Sequence, residues 1–206
     1  EYSAGSSLSQ EYHVLFAGGI HDALSASMVA ALSAPLAERG VRIGVQLGSA
    51  YLFTDEALAT GAIVKRYQQE AMQCQRTTVL SSGPGDEERC INNPFAGAFK
   101  ELKDRLSKQG ATFDETKERL GRLKLGRLRI ASKGLIRNPN AETGQGAPKL
   151  LNLDENSQYQ QGLYLIGQLS ALRECTVKIE ELHHDICVKG SERIEKLGIG
   201  DKVSSP

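Results

Sequence analysis

Two strand-like runs near the start of the chain end in residues suited to holding a phosphate. Val14-Leu15-Phe16-Ala17 stops at Gly18-Gly19, and the run Val41 to Leu47 stops at Gly48-Ser49. Glycine lets backbone N–H groups come close to an anion, and a helix that begins just beyond favours negative charge. Gly18, Gly19, Gly48 and Ser49 therefore form a candidate phosphate cradle. The same residues would also serve two tight β-to-α turns that bind nothing. Two such ends on consecutive parallel strands favour the cradle.

Other candidates are less specific. His21 follows the Gly-Gly pair and could approach a ligand, or simply sit at a helix start. His183 and His184 are adjacent and cannot share a helix face, which argues against a metal site. Lys133 stands in a basic segment near Gly126 and Gly134, where it could meet an anionic group or belong to a solvated face. Cys74, Cys90, Cys175 and Cys187 are widely and irregularly spaced without a CxxC, so they read as reduced thiols. No paired carboxylates, Ser/His/Asp set or Walker loop stands out, and no catalytic or metal-binding residue is assigned.

The elements that must position the cradle follow from periodicity. Tyr12–Ala17 is the first strand, and Asp22 can cap a helix carrying Leu24, Met28, Val29, Leu32 and Leu36. Pro35 could bend that helix and Gly40 stop it, while its many Ala and Ser residues suggest close packing on a sheet. Val41, Ile43, Val45 and Leu47 alternate with Arg42, Gly44 and Gln46, a period of two. Thr54 can cap a short helix with Asp55 and Glu56 in its first turn. Strand–helix–strand–helix is the grammar of a parallel α/β sheet or barrel. In eight-stranded (β/α) barrels, the loops after the last two strands often hold a phosphate.

Beyond Gly61 the pattern turns mainly helical. Val64–Gln75 reads as helix, Thr77–Leu80 as a short strand, and Ser81-Ser82-Gly83-Pro84-Gly85 as a turn. A helix starts at Asn93-Pro94, with Phe95, Phe99, Leu102 and Leu106 on one face. Leu120, Leu123 and Leu128 continue in a basic segment, and Asn138–Pro148 is a polar loop. Asp154 opens a helix with Leu163, Ile166, Leu169 and Leu172 on its buried face. Thr176 caps another with Ile179, Leu182 and Ile186, and Ser191 a last one with Ile194 and Leu197.

The chain has 206 residues, 40% hydrophobic and 24% charged, which is a globular composition. Net charge is zero, so there is no overall pull toward nucleic acid or membrane. The basic run from Arg119 to Arg137 lacks interleaved aromatics, which argues against single-stranded nucleic acid. No apolar run nears the roughly 20 residues of a membrane span, and no signal peptide is recognised. A cytoplasmic protein is expected.

Phe16-Ala17-Gly18-Gly19-Ile20, then Leu47-Gly48-Ser49-Ala50-Tyr51-Leu52 and Thr54-Asp55-Glu56-Ala57, resemble the C-terminal part of the nitronate monooxygenase (2-nitropropane dioxygenase)-like flavoproteins. That family includes FMN-dependent enoyl reductases of fatty-acid and polyketide synthesis. The sequence is most similar to the version associated with polyketide and polyunsaturated fatty-acid synthases, where His-Asp follows as His21-Asp22 does here. Gly83-Pro84-Gly85, Arg89-Cys90, Asn93-Pro94-Phe95, Leu125 to Gly134 and Tyr164-Leu165-Ile166-Gly167-Gln168 extend the resemblance over most of residues 12–197.

The resemblance implies an α/β fold: the C-terminal portion of a (β/α)8 TIM barrel, its last two βα units, followed by a mainly helical domain. It implies FMN as cofactor. Ala17, Gly18, Gly19, Gly48 and Ser49 would hold its phosphate, the last also through its hydroxyl. Ser49 stands where many members have threonine, and the stretch between the glycine ends is longer than in the simpler monooxygenases. The implied domains are a leader over 1–11, the barrel units over 12–63, the helical domain over 64–200 and a tail over 201–206.

Six strands, the family's catalytic histidine and most contacts to the flavin ring would lie upstream of Glu1. Two strands cannot close a barrel, so this chain should expose apolar surface or rely on the rest of a longer polypeptide. The function expected is an FMN-dependent oxidoreductase domain that reduces enoyl thioesters in polyketide or fatty-acid synthesis. Its partners would be an acyl carrier protein or synthase domains. The alternative is a non-catalytic docking segment of a synthase that contacts a carrier protein or neighbouring domains.

Overall fold

The computed structural model describes residues 12–141 and 148–196. It is an α/β structure of helices and small two-stranded sheets. The chain divides into two compact units, one holding the segment up to Thr54 and that from Thr176 on, the other Asp55–Cys175.

The first unit is a βαβ turn joined by a distant helix. Strand β1 (His13–Ala17) pairs in parallel with β2 (Arg42–Gln46), from His13↔Arg42 to Ala17↔Gln46. Helix α1 (Ala23–Ala37) connects them, with Pro35 inside it and Gly40 at φ 84° just beyond its end. Asp22 caps α1 as expected: it accepts from the Ser25 N–H at 2.8 Å within a full capping box. Sequence alone assigned residues 64–200 to one helical domain. In the structure the helical stretch Ile179–Lys196 packs on α1. It comprises α8 (Ile179–His184), a π turn over Asp185–Lys189 and α9 (Gly190–Lys196). Lys178 rather than Thr176 stands at its N-cap.

The small residues of α1 make this packing possible. A Cβ added at Gly190 would meet Ala26 Cβ at 3.3 Å, and Ser27 Oγ donates to the Gly190 carbonyl at 3.2 Å as well as to Ala23 O at 2.6 Å. Ala26 and Ser27 thus serve a helix–helix contact, while α1 also packs on β2, in keeping with the sheet contact expected of its small residues. The buried residues of α1 are Ser27 and Ser33, while Leu24, Met28 and Leu32, one turn apart in sequence, are 52%, 58% and 72% exposed. Leu15 on β1 is 68% exposed. An amphipathic helix in a finished domain shows the opposite polarity.

The second unit has its own core. Helix α2 (Asp55–Ala59) leads to α3 (Lys65–Gln73), then to an antiparallel hairpin of β3 (Thr77–Gly83) and β4 (Asp86–Ile91). The turn at Pro84-Gly85 was legible, but β4 was not, because Asp86-Glu87-Glu88-Arg89 is a poor strand composition. Tertiary charge resolves the conflict: Lys124 Nζ lies 3.0 Å from Asp86 Oδ1 and 3.2 Å from Glu88 Oε2. Helix α4 (Pro94–Lys108) buries Phe95, Phe99 and Leu106, with Leu102 partly buried beside them. These pack against Leu80, Cys90, Leu163 and Leu120 of α5 (Phe113–Lys124).

Helix α6 (Arg127–Lys133) is followed by a hairpin of β5 (Leu135–Arg137) and β6 (Leu150–Asn152). Helix α7 (Glu155–Gln161) is shorter than its apolar pattern implies. Beyond Gly162 the chain runs extended beside β4: the Ile91 N–H donates to Tyr164 O at 2.9 Å and the Ile166 N–H to Arg89 O at 3.1 Å. Leu163, Ile166 and Leu169 are buried in this extended segment and the 3-10 turn after it, whereas Leu172 is 65% exposed. Leu197, expected in the last helix, and the centre of the 138–148 loop lie outside the described residues. Among the described residues no helix is long and apolar enough to cross a membrane, and all four cysteines are free.

Two outcomes are expected. The bare apolar stripe predicts that the chain binds the dye ANS and self-associates. Leu24→Gln, Met28→Gln and Leu32→Gln together should reduce both, read by dye fluorescence and light scattering, while Tm stays nearly constant because exposed sites contribute little to folding. The Lys124 hydrogen bond holds the Asp86 carboxyl below its usual range. Burial works against charge on Lys124, but its bonds to Asp86 and Glu88 raise it overall. The lowered carboxyl stabilises the fold above the unfolded-state value near 3.9, and this is lost as pH falls through the folded value. The raised amine stabilises it below about 10.4, and this is lost as pH rises through the folded value. Lys124→Met should therefore destabilise by about 1 kcal/mol near neutral pH, with the gap closing toward pH 3 in urea unfolding.

Candidate functional site

Parallel pairing brings the two glycine ends to one edge of the β1–β2 ribbon. Ala17, opposite Gln46, is the last residue of β1 and is exposed. Gly18 and Gly19 leave it at φ 99° and 73°, values that L side chains rarely adopt. The next turn needs both glycines for its shape. Nothing lies within 4 Å of where a Cβ would stand at Gly18, Gly19 or Gly48, so the edge is open to a ligand. Ser49, half-buried, begins a 3-10 turn over Ser49–Phe53.

Local side-chain contacts hold the first turn and long-range ones the second. His21 Nδ1 donates to the Gly19 carbonyl at 2.7 Å, its Nε2 lies 3.7 Å from Asp22 Oδ2, and its N–H donates to Ser25 Oγ. His21 thus braces the Gly-Gly turn, a role beyond that of a polar residue at a helix start. In the second turn Tyr51 Oη and His183 Nε2 are hydrogen-bonded at 2.9 Å, with their rings edge to face. The Val177 N–H donates to Phe53 O at 3.0 Å. Ala50 and Phe53 are fully buried, which anchors the segment carrying Ser49.

The start of α1 differs from the expectation that its N-terminus would attract an anion. Asp22 takes the Ser25 N–H, and Asp185, 162 residues away, takes the Ala23 N–H at 3.1 Å. Two carboxylates already answer the positive end of this helix. An anion at this edge would be held by the amides of the glycine turns. The roles of Asp185 and His183 escaped sequence reasoning because no local pattern links them to residues 21–51.

The remaining candidates have structural employment. Lys133 Nζ donates to Gly61 O at 2.6 Å and Ala62 O at 2.9 Å, tying the end of α6 to the loop before α3. Among the described residues, no group of three or more His, Cys, Asp or Glu side chains is placed to hold a metal.

No protein-family model and no curated protein matches the sequence. Among solved structures, the chain is similar to FabK from Thermotoga maritima, with a TM-score of 0.56 and 18% identity over 93% of this chain and 50% of that one. A point mutant of the same protein aligns with a TM-score of 0.47 and 18% identity over 90% and 43% of the two chains. The chain spans half the length of FabK. At this identity the likeness is one of fold, a partial barrel-like α/β arrangement.

Proposed function

We propose that this chain is part of an FMN-dependent oxidoreductase of the enoyl-reductase kind. In this reading β1 and β2, each with its following helical segment, are the last two βα units of a (β/α)8 barrel, and the rest of the barrel comes from further polypeptide. The observation that carries the reading is the open glycine edge: Gly18 and Gly19 at positive φ beside Gly48-Ser49 on the adjacent parallel strand. The fold likeness to FabK supports it at the level of architecture.

The residues present suit a phosphate. The Gly18 and Gly19 turn would offer backbone N–H groups, with Gly48 and Ser49 closing the other side. His21 would keep the Gly19 peptide oriented through its bond to the carbonyl, so the amides need not reorganise on binding. Ala17 would lie beneath the phosphate without obstructing it. Asp22 is one ring away from Gly19 and opposes a dianion there, which sets an upper bound on affinity. Bound flavin would supply the hydride chemistry. The substrate in this reading is an enoyl thioester presented by an acyl carrier protein in a synthase. The exposed Leu24, Met28 and Leu32 of α1 and Leu15 of β1 would be covered by the preceding barrel units.

The test is the visible absorption spectrum and an FMN titration on this chain and on the chain joined to its upstream polypeptide. The joined chain should bind flavin. Gly19→Val forces a β-branched residue to φ 73° and should weaken binding at least tenfold, with circular dichroism confirming that the fold survives. Asp22→Asn keeps the cap and removes one like charge, so it should tighten FMN several-fold at low salt. A joined chain that stays colourless and ignores added FMN would overturn the flavin reading and leave the docking role.

A further inference from the structure

The second unit contains an arginine-lined cavity that the flavin reading does not use. It has a volume of about 340 Å³ and lies between the start of β3, the middle of β4 and the 3-10 turn Gln168–Ala171. Arg76, Thr77, Arg89, Gln168 and Ser170 line it. Arg89 reaches across the hairpin, and its Nη1 donates to Thr77 Oγ1 at 2.9 Å. That bond uses one of five guanidinium donors and fixes the fork in place. Arg76 is exposed at the rim, on a backbone held by the Cys74 thiol, which lies 3.3 Å from its carbonyl.

Ser170 supplies an independent observation. It is 4% exposed, and its Oγ is buried with no hydrogen-bond partner among the described residues. A buried hydroxyl without a partner is uncommon and calls for one. An adjoining cavity of about 610 Å³ shares Gln75, Ser170 and Ala171 and is lined further by Met72, Cys74 and Glu174. Glu174 is the carboxylate of that second lobe, while Arg76 and Arg89 are the charges of the first.

We propose that the arginine lobe is an oxoanion site that takes the phosphate of a phosphate ester, whose organic part enters the lobe of Met72 and Cys74. Arg89 is the pre-oriented fork, Arg76 closes over the anion from the rim, and the Ser170 hydroxyl donates from below. Two guanidinium groups and a hydroxyl match the several acceptor oxygens of a phosphate better than a single carboxylate would. Glu174 disfavours a second anionic group at the far end. This site is separate from the glycine edge and does not depend on the flavin reading.

The experiment titrates the full chain with inorganic phosphate and with glycerol 3-phosphate, at constant ionic strength with chloride as control. The arginine side-chain N–H signals are followed by NMR. The site predicts saturable shifts of the Arg89 and Arg76 signals, with the ester binding more tightly than the inorganic ion. Arg89→Gln should weaken binding about tenfold or more, Arg76→Gln and Ser170→Ala each several-fold. Ser170→Ala is the variant least able to disturb the fold. Gly19→Val should leave these shifts unchanged. No saturable shift below about 10 mM, or shifts that persist in the arginine variants or vanish in Gly19→Val, would overturn the proposal.

Discussion

A two-stranded parallel ribbon cannot bury itself. Parallel strands are stable when helices cover both faces and other strands pair their edges. Among the described residues, β1 and β2 pair only with each other. The first unit meets the problem on one side: α1 is fixed to the helix Ile179–Lys196 by a close approach at Gly190 and by Asp185 on the Ala23 N–H. Leu15 on β1 and the stripe of Leu24, Met28 and Leu32 on α1 are left in the open. Burying each such side chain is worth about 1.5–3 kcal/mol, so these exposed residues carry a driving force for association.

The second unit closes a core of its own, although Phe113, Leu125 and Leu172 stay exposed on it. Phe95, Phe99, Leu106, Leu120 and Leu163 close a continuous core. Tyr164 is fully buried, and its ring meets that of Tyr67 edge to face at 5.1 Å. Burial raises both tyrosine hydroxyls well above the ordinary phenol range. It also pushes the Cys90 thiol up to about 11, which keeps that buried cysteine protonated and unreactive. The hairpin β3–β4 is the frame of this unit. One of its faces meets Lys124, and its strands contribute Thr77 and Arg89 to the arginine cavity. A strand rich in acids is stable because its neighbours, not its own propensities, supply the charge it lacks.

Much of the architecture was legible locally. A continuous apolar run found β1 and apolar alternation found β2, and Asp22 and Asn93 announced their helices by capping chemistry that needs only residues three places apart. The stripe of Phe95, Phe99, Leu102 and Leu106 predicted the face that α4 buries. Three features were not legible. Strand β4 is masked by its charges, the segment after Gly162 has helical spacing but pairs with β4, and the packing of α1 against residues 179–196 joins parts of the chain more than 150 positions apart.

The candidate cradle divides in the same way. That Gly18 and Gly19 end a strand and turn sharply follows from residue type, because only glycine takes φ 99° and 73° without strain. Which edge they share with Gly48-Ser49 depends on parallel pairing, and which groups flank them depends on the return of the chain at Val177 and Asp185. The sequence by itself determined the elements, their caps and the glycine ends, since these rest on interactions within one turn or one strand. Only the tertiary structure decided that carboxylates occupy the start of α1, that Lys133 is tied to backbone carbonyls, and that Arg76, Arg89 and Ser170 meet around one cavity. Those outcomes are contacts between residues far apart in the chain, and no local spacing encodes them.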